Sequence, residues 1–560
     1  MYWADELAAR LSGPQVVNDS KTPSGTVHIG SLRGPVVLDA IWRALRERGL
    51  EARLLYGVDD MDPMDSQALL TPDAVERYMG VPLARVPAPE GSVAPSYARH
   101  FAGLFLDTFA SLGIHPETYW MSEMYPTGAV DPYIRTALDR ADRVREIYRR
   151  VANVQHPADW LPVSVVCEHC GKVGTTIARK WDGERVFYEC RTDLVEWARG
   201  CGHSGWVSPF GGRAKLPWNL EWAAQWGILG VTIEPNGKDL ATAGGSRDRS
   251  DAISREVFER EPPINLPYEF LNIGGRKMST SKGRGAAAHT MVDLLPSELV
   301  RFLFLRYRPS HAIDFDPAGD TIPRLFEEFD RVAAAVSGRP VKGELPPDHE
   351  RIFAMSLLEP DADVAAEAAR FRPNFSQVAM LAQLPGADVE RRIEVEKGEP
   401  LDLPEQVILA DRLRAARNWL DGYAPERARI AVRDELPMEA RHGLGDDQRS
   451  FLGALAQSAA VARPSTGDAW QDLLFRVAEE AALPPSRAFS AVYLAFIART
   501  NGPRAGWLLA ALDREFVQDR LREAAGWPPQ PESPAAEDGA ATTTPGADGE
   551  SPTRTTETTE

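Results

Sequence analysis

Cysteine is scarce in this 560-residue chain: there are four, all between positions 167 and 201. So few thiols cannot staple a secreted protein of this size, which excludes a disulfide framework. No run of about 18 apolar residues exists, so a membrane-spanning helix is excluded too. The opening MYWADELAARL has neither a basic flank nor an apolar stretch of signal-peptide length, and a cytoplasmic protein is expected. Positive charge is also short: 63 Lys+Arg face 81 Asp+Glu, for a net charge of −18. Such a body does not coat nucleic acid indiscriminately, because phosphate attraction supplies most of that affinity, although local basic surfaces remain allowed. Residues 528–560 lack Ile, Leu, Val, Met, Phe, Tyr and Trp, and carry seven acidic residues against one arginine. That tail cannot bury a core and is expected to be disordered.

What is present is a globular composition, 43% hydrophobic and 26% charged, long enough for three or four domains at roughly 150 residues each. The first 90 residues alternate strand and helix. Residues 15–18 read as a strand, followed by a loop with Pro23, Gly25 and Gly30. A helix then runs from Ser31 to Arg48, with Val37, Ile41 and Leu45 on one face and Gly49 at its C-terminal cap. Residues 53–58 form the next strand, completing a unit typical of parallel sheets. The pattern returns with a strand at 229–235, a helix at 245–258 and a strand at 267–273. Beyond about residue 290 helical patterns dominate. The expected fold is α/β: a split Rossmann-like parallel-sheet catalytic domain (1–92 and 216–290) interrupted by an insertion (93–215). A helical connector (291–340), an all-α C-terminal bundle (341–527) and the tail follow.

Two loops carry most of the chemistry. The first, Thr22-Pro-Ser-Gly-Thr-Val-His-Ile-Gly30, lies between a strand and a helix. Its glycines let the backbone approach a ligand, and the helix start offers free N–H groups and a positive dipole end. His28 adds a donor, making a cradle for a polyphosphate. The second, Lys277-Met-Ser-Thr-Ser-Lys-Gly283, packs two lysines and two serines between glycines. Lysines are mobile point charges suited to following phosphate oxygens.

In this order and about 250 residues apart, the two loops resemble the HIGH and KMSKS signatures of class I aminoacyl-tRNA synthetases. The wording NDSKTPSGTVHIGSLRG, LLYGVDDMDPMD, CEHCGK, SPFGG, WNLEWAAQW, GGSRD and KMSTSKG is most similar to the class I lysyl-tRNA synthetases. The resemblance implies a ligase that forms lysyl-adenylate from L-lysine and ATP, with Mg²⁺, releases pyrophosphate, and passes lysine to tRNA(Lys), leaving AMP. It implies catalytic roles for His28, Lys277 and Lys282. It implies ATP contacts from Pro23, Gly25, His28, Gly30, Ser31, Gly237, Asp239, Lys277, Met278, Ser279 and Ser281. Two signature positions depart from the pattern: Ser31 replaces the second histidine, and Thr280 replaces the second lysine of KMSKS. A monomer without membrane attachment is expected.

Cys167-Glu-His-Cys170-Gly is a knuckle, and Cys190 and Cys201 follow it. Four thiolates suit one tetrahedral, structural Zn²⁺ in a module at about 160–205, with His203 a rival to Cys201. In the family such an insertion helps to hold the acceptor end of tRNA. Lysine needs a carboxylate for its ammonium and an aromatic wall for its stem. Trp218 and Tyr268 best match the aromatics of the family, and Asp19 and Asp59 are the carboxylate candidates, with Asp60, Asp62 and Asp65 beside the latter. Trp218, Trp222 and Trp226 fall at steps of four, as core residues of one helix face also would. Where the family is expected to read G-K-D-His, this chain reads Gly237-Lys-Asp-Leu240. The helical half would recognise the anticodon, and arginines in ADRLRAARNWL and ERARIAVRDEL could face RNA or solvent. Two other readings fit less well: an adenylating enzyme with a different amino acid or a non-tRNA acceptor, and a silent RNA-binding paralogue. The helical half argues against the former, and intact His28, Lys277 and Asp239 argue against the latter.

Overall fold

The computed structural model describes residues 1–65, 71–273, 276–277, 287–384 and 388–526. In chain order the strands are β1 (Gln15–Lys21), β2 (Ala52–Val58), β3 (Glu117–Trp120), β4 (Ser164–Val165), β5 (Thr176–Trp181), β6 (Val186–Cys190), β7 (Ser204–Val207), β8 (Ala214–Lys215), β9 (Ile233–Gly237), β10 (Ile264–Tyr268), β11 (Leu271–Ile273), β12 (Arg276–Lys277) and β13 (Ile313–Asp314). The central sheet has the order β10-β9-β1-β2-β3, and every neighbouring pair in it is parallel. The chain moves outward from β1 to β3 on one side and from β9 to β10 on the other. The strand order therefore reverses between β1 and β9, and a crevice opens there at the carboxyl ends of the strands.

Burial follows the expected periodicity. Val37, Ile41 and Leu45 are at most 1% exposed on the helix Arg33–Glu47. That helix is also buried on a second face, where Asp39 pairs with Arg43 at 2.7 Å and Arg301 at 2.6 Å. Two cations share one carboxylate, so these charges enter the core compensated. Gly49 supplies the left-handed φ of +81° after the helix.

Three sequence expectations need correction. The strand placed at 267–273 is two strands in different sheets, β10 and β11. Between them the buried Arg33 guanidinium takes the carbonyls of Glu269 (2.6 Å) and Phe270 (3.4 Å), and these contacts turn the chain away from the first sheet. Leu229 closes the helix Trp218–Leu229, and Gly230 takes the left-handed conformation at its C-cap, so the next strand starts only at Ile233. Lastly, β3 lies inside the segment read as an insertion yet pairs with β2. Its four residues are too few and too polar to register as a periodic strand.

The described chain divides into two compact units. One comprises Met1–Val432 with Ser465–Gln471 and Asn501–Leu512, and holds all the strands named above. The other comprises Arg433–Pro464, Asp472–Thr500 and the chain from Asp513 on. It is helical among the described residues, with Phe451, Leu455, Val492, Phe496 and Leu521 in its core. Among the described residues no helix is long and apolar enough to cross a membrane. The tail lies outside the described residues.

Candidate functional site

The crevice at the strand switch is a cleft of about 300 Å³ whose walls include Asp19, Lys21, His28, Gly30, Ser31 and Asn236, with Gly237, Asp239, Leu240 and Tyr268 opposite. The first loop leaves the end of β1 and enters a short turn at Ile29–Leu32 that leads into the helix Arg33–Glu47. It is held at several points. Thr22 Oγ1 donates to Asp62 Oδ2 at 2.6 Å, and Tyr97 Oη donates to the Ser24 carbonyl at 3.1 Å. Gly25 adopts φ +153°, which side chains disfavour. Pro23 and Gly25 shape the loop without lining the cleft.

The second signature falls mostly outside the described residues: Met278, Ser279, Ser281 and Lys282 are among the undescribed positions, and Lys277 is described as backbone in β12. Its flanks are nonetheless informative. The chain re-emerges at Ala287, which forms an antiparallel bridge with His28, and the Ala288 N–H donates to the Val27 carbonyl at 2.7 Å. The exit of one signature is therefore stitched to the middle of the other. Arg33, fully buried, also holds the carbonyls of Pro309 (3.2 Å) and His311 (2.7 Å), fixing the base from which β11 and β12 project.

The carboxylates separate into distinct roles. Asp19 lines the cleft, its Oδ1 accepting from the adjacent Ser20 N–H. Burial, with Asp59 adding to it, pushes the Asp19 carboxyl up to about 7. Gly34 is what admits this arrangement: a Cβ there would come within 2.7 Å of both Asp19 Oδ2 and Tyr268 Oη. Asp59 stands behind the wall rather than in it. It accepts from Ser20 Oγ (2.9 Å) and Gln225 Nε2 (2.8 Å), and burial, then the charge of Asp62, raises it to about 6. Glu234, fully buried under the sheet, accepts from Asn18 Nδ2 and Trp222 Nε1, and burial lifts it to about 8.

Trp218 does not share the cleft with Tyr268. It lines a neighbouring cavity of about 350 Å³ together with Asp62, Lys215 and Trp160. It stacks on Trp222 at 5.0 Å, which in turn meets Trp226 at 5.2 Å, so the steps of four make one aromatic ladder. Trp222 and Trp226 are core residues. Beside them Arg247 of the GGSRD segment lies 4.7 Å from the Trp226 ring centroid and pairs with Asp251 at 2.7 Å.

Lys21, Asn236 and Gly34 were missed by sequence reasoning. Lys21 is the last residue of β1, immediately before the first loop, and that position was the available signal. Lys21 lines the cleft, and burial lowers its pKa against the opposing charge of Asp19.

The four cysteine sulfurs lie within 4.8 Å of one another. Cys167 and Cys201 are 3.7 Å apart and Cys170 and Cys190 3.6 Å. Four thiolates at about 2.3 Å from a tetrahedral ion have edges of about 3.8 Å, so the cluster could hold a metal. Cys201, not His203, completes it; His203 instead lies beside His169 with ring centroids 6.0 Å apart.

Two arginines read as possible RNA contacts are structural. Arg412 is buried, donates to the Pro373 carbonyl at 2.6 Å and pairs with Asp330. Arg414 takes the carbonyls of Val292 and Asp293. Arg417 and Arg429 are exposed.

A parallel sheet with its strand order reversed over a cleft and a glycine-rich loop feeding a helix beside it are the architecture of a nucleotide-binding α/β protein. The particular family follows from direct comparison. Residues 1–357 match the family model described as tRNA synthetases class I (K), and the chain belongs to that family. A lysine–tRNA ligase of Archaeoglobus fulgidus is 34% identical over 530 residues, covering 94% of this chain and all of that one. One from Methanosarcina barkeri is 31% identical over 550 residues, covering 95% and 99%. One from Methanocaldococcus jannaschii is 34% identical over 537 residues, covering 92% and 98%.

Proposed function

We propose that this chain is a lysine–tRNA ligase working in the cytoplasm as a monomer. The single observation that carries the reading is the pairing of Ala287 and Ala288, just past the second signature, with His28 and Val27 of the first beside the switch-point cleft, in a chain similar along nearly its whole length to lysine–tRNA ligases. ATP lies along the first loop, with Gly237 and Asp239 serving its ribose and His28, Lys277 and Lys282 its phosphates, the roles that the family resemblance implies. Mg²⁺ accompanies the nucleotide and shares its charge. The lysine carboxylate attacks the α-phosphorus and pyrophosphate leaves. The terminal ribose hydroxyl of tRNA then attacks the acyl carbon and AMP departs. No nucleophilic side chain is needed; the protein's part is orientation and the stabilisation of charge building on phosphate oxygens.

Asp19 is the partner for a lysine ammonium and Tyr268 its aromatic neighbour. Both reach into the cleft, whereas Asp59 is already satisfied by Ser20 and Gln225. The helical segment 341–527 serves anticodon recognition. The test is ATP–pyrophosphate exchange with each of the twenty amino acids in the presence of tRNA, followed by aminoacylation. Lysine alone should support both, and exchange with another amino acid in its place would refute the assignment.

Zinc is the metal that fits Cys167, Cys170, Cys190 and Cys201. Four thiolates close its coordination shell, so its contribution is to hold the module's fold. Purified protein should carry close to one zinc per chain, and Cys170→Ser should lose it, with aminoacylation falling more than ATP binding. Metal analysis finding no zinc in freshly prepared protein would contradict this.

Leu240 lines the cleft without a polar atom where the family resemblance leads one to expect histidine. A hydrogen bond is worth about 0.5–1.5 kcal/mol, or 1.5–3 to a charged partner. Leu240→His should therefore lower the apparent KM for lysine by about 2- to 150-fold. An unchanged KM would remove position 240 from lysine recognition.

A further inference from the structure

The acidic cluster after β2 already contains an ammonium group, and it comes from the chain itself. Lys215 Nζ lies 2.8 Å from Asp62 Oδ1 and 3.2 Å from Glu221 Oε2. The Lys215 side chain is 6% exposed and that of Glu221 0%. Glu221 also accepts from Tyr125 Oη at 2.5 Å, and the same hydroxyl accepts from the Leu216 N–H at 2.9 Å. Burial works against the charge on Lys215, but Asp62 and Glu221 more than offset it and hold the group protonated.

The other oxygen of Asp62 is equally committed: Oδ2 accepts from Thr22 Oγ1 at 2.6 Å. Thr22 is the first residue of the loop that carries His28. The contacts therefore form an unbroken line from Lys215 through Asp62 to Thr22. Lys215 sits in β8, paired in register with Ser164 of β4, and β4 leads within two residues to Cys167. A second line runs through the backbone: the Val173 N–H donates to the Gly80 carbonyl at 2.7 Å, and the Leu83 N–H to the Asp62 carbonyl at 2.9 Å. The cysteine module is thus linked to Asp62 by two routes, through β8 and through the segment Gly80–Leu83.

The geometry points to Lys215 as a positioning residue: acting through Asp62 and Thr22, it fixes the first signature loop in the shape that aims His28 at the nucleotide, and so ties that loop to the cysteine module. The inference rests on the proposed role of the loop in ATP activation. It goes further by giving the module's own strand a hold on the activation step. A carboxylate with both oxygens engaged cannot swing, whereas without Lys215 Asp62 is free to turn from Thr22 towards water. The loop would then sample other shapes, and a small misplacement of a catalytic group costs rate more than binding.

The test is a double-mutant cycle on lysine-dependent exchange, with competent enzyme counted by the adenylate burst so that unfolded material does not enter the rate. Thr22→Val removes one hydroxyl and Lys215→Met removes one charge. Each should lower kcat by about ten- to a hundredfold, with the KM for ATP moving less than about threefold. Because both act through Asp62, the double variant should be no slower than the slower single one. If Lys215→Met does not fold, Lys215→Met combined with Glu221→Gln, which also removes the buried carboxylate left unpaired, takes its place in the cycle with the same expectation. Losses that multiply, or a Lys215→Met enzyme with wild-type kcat, would overturn the relay while leaving the activity assigned. A wild type without lysine-dependent exchange would overturn the reading of the site and this proposal with it.

Discussion

Replacing His28 by alanine should slow lysine-dependent pyrophosphate exchange by about 30- to 1,000-fold, and Lys277→Ala should do the same. On the proposed roles each removes a donor to the negative charge that grows as the α-phosphorus is attacked, a contact worth about 2–4 kcal/mol in the transition state. Neither change should unfold the protein. His28 is half-buried at the cleft and its backbone bridge to Ala287 survives truncation of the side chain. The loss should appear in kcat and kcat/KM together, because the interaction strengthens only as the reaction proceeds. The two variants should also interact. Ala287, just past the second loop, bridges to His28, and on the proposed roles His28 and Lys277 serve one phosphate chain. The double variant should then be less impaired than the product of the single losses. Unchanged exchange in both single variants would remove the two loops from the chemistry.

Much of this site could be read from the sequence because its chemistry is concentrated in short segments. Two glycines and a histidine within the nine residues Thr22–Gly30, and two lysines within the seven residues Lys277–Gly283, mark candidate phosphate loops wherever the fold places them, and four cysteines within 35 residues announce a cluster. The strands β1 and β2 and the helix between them could also be read, the strands from short apolar runs and the helix because it is long and periodic, whereas β9 begins four residues later than its apolar run suggests. What stayed hidden depends on residues distant in the chain. Nothing near Asp62 signals that Lys215 will claim it, so the acidic stretch looked open to a substrate ammonium. Arg412 and Arg414 looked like surface charge until Asp330 and the carbonyls of Pro373 and Val292 were seen to take them. Gly34 looked like any helix glycine; only the approach of Asp19 and Tyr268 from two other elements gives its missing side chain a purpose. Trp218 was grouped with Tyr268 by family resemblance, yet the aromatic ladder holds it over a separate cavity.

The sharpest consequence of the assignment of Asp19 is in pH. Its carboxyl titrates at about 7 in the lysine-free cleft because burial disfavours the charge, and the ordinary value is 3.8. Only the ionised form pairs with an ammonium, so kcat/KM for lysine should climb through pH 7 and be about tenfold lower at pH 6 than at pH 8. Stability moves in the opposite sense. The folded pKa lies above the unfolded one, so the contribution of Asp19 to stability is complete below about pH 4 and is lost as pH rises through 7. Bound lysine adds a positive charge beside Asp19 beyond that of Lys21, and should therefore raise the melting temperature more at pH 8 than at pH 6. Asp19→Asn keeps the shape and removes the charge. Truncating one partner of a desolvated charge pair costs about 2–5 kcal/mol, so kcat/KM for lysine should fall by about 30-fold or more, mostly in KM. The variant should also lose the rise through pH 7, and lysine should stabilise it little at either pH. A variant that binds lysine normally, or a wild type whose lysine kcat/KM is flat between pH 6 and 8, would show that the ammonium is held elsewhere. Asp239, the other carboxylate lining the cleft, would be the next residue to change.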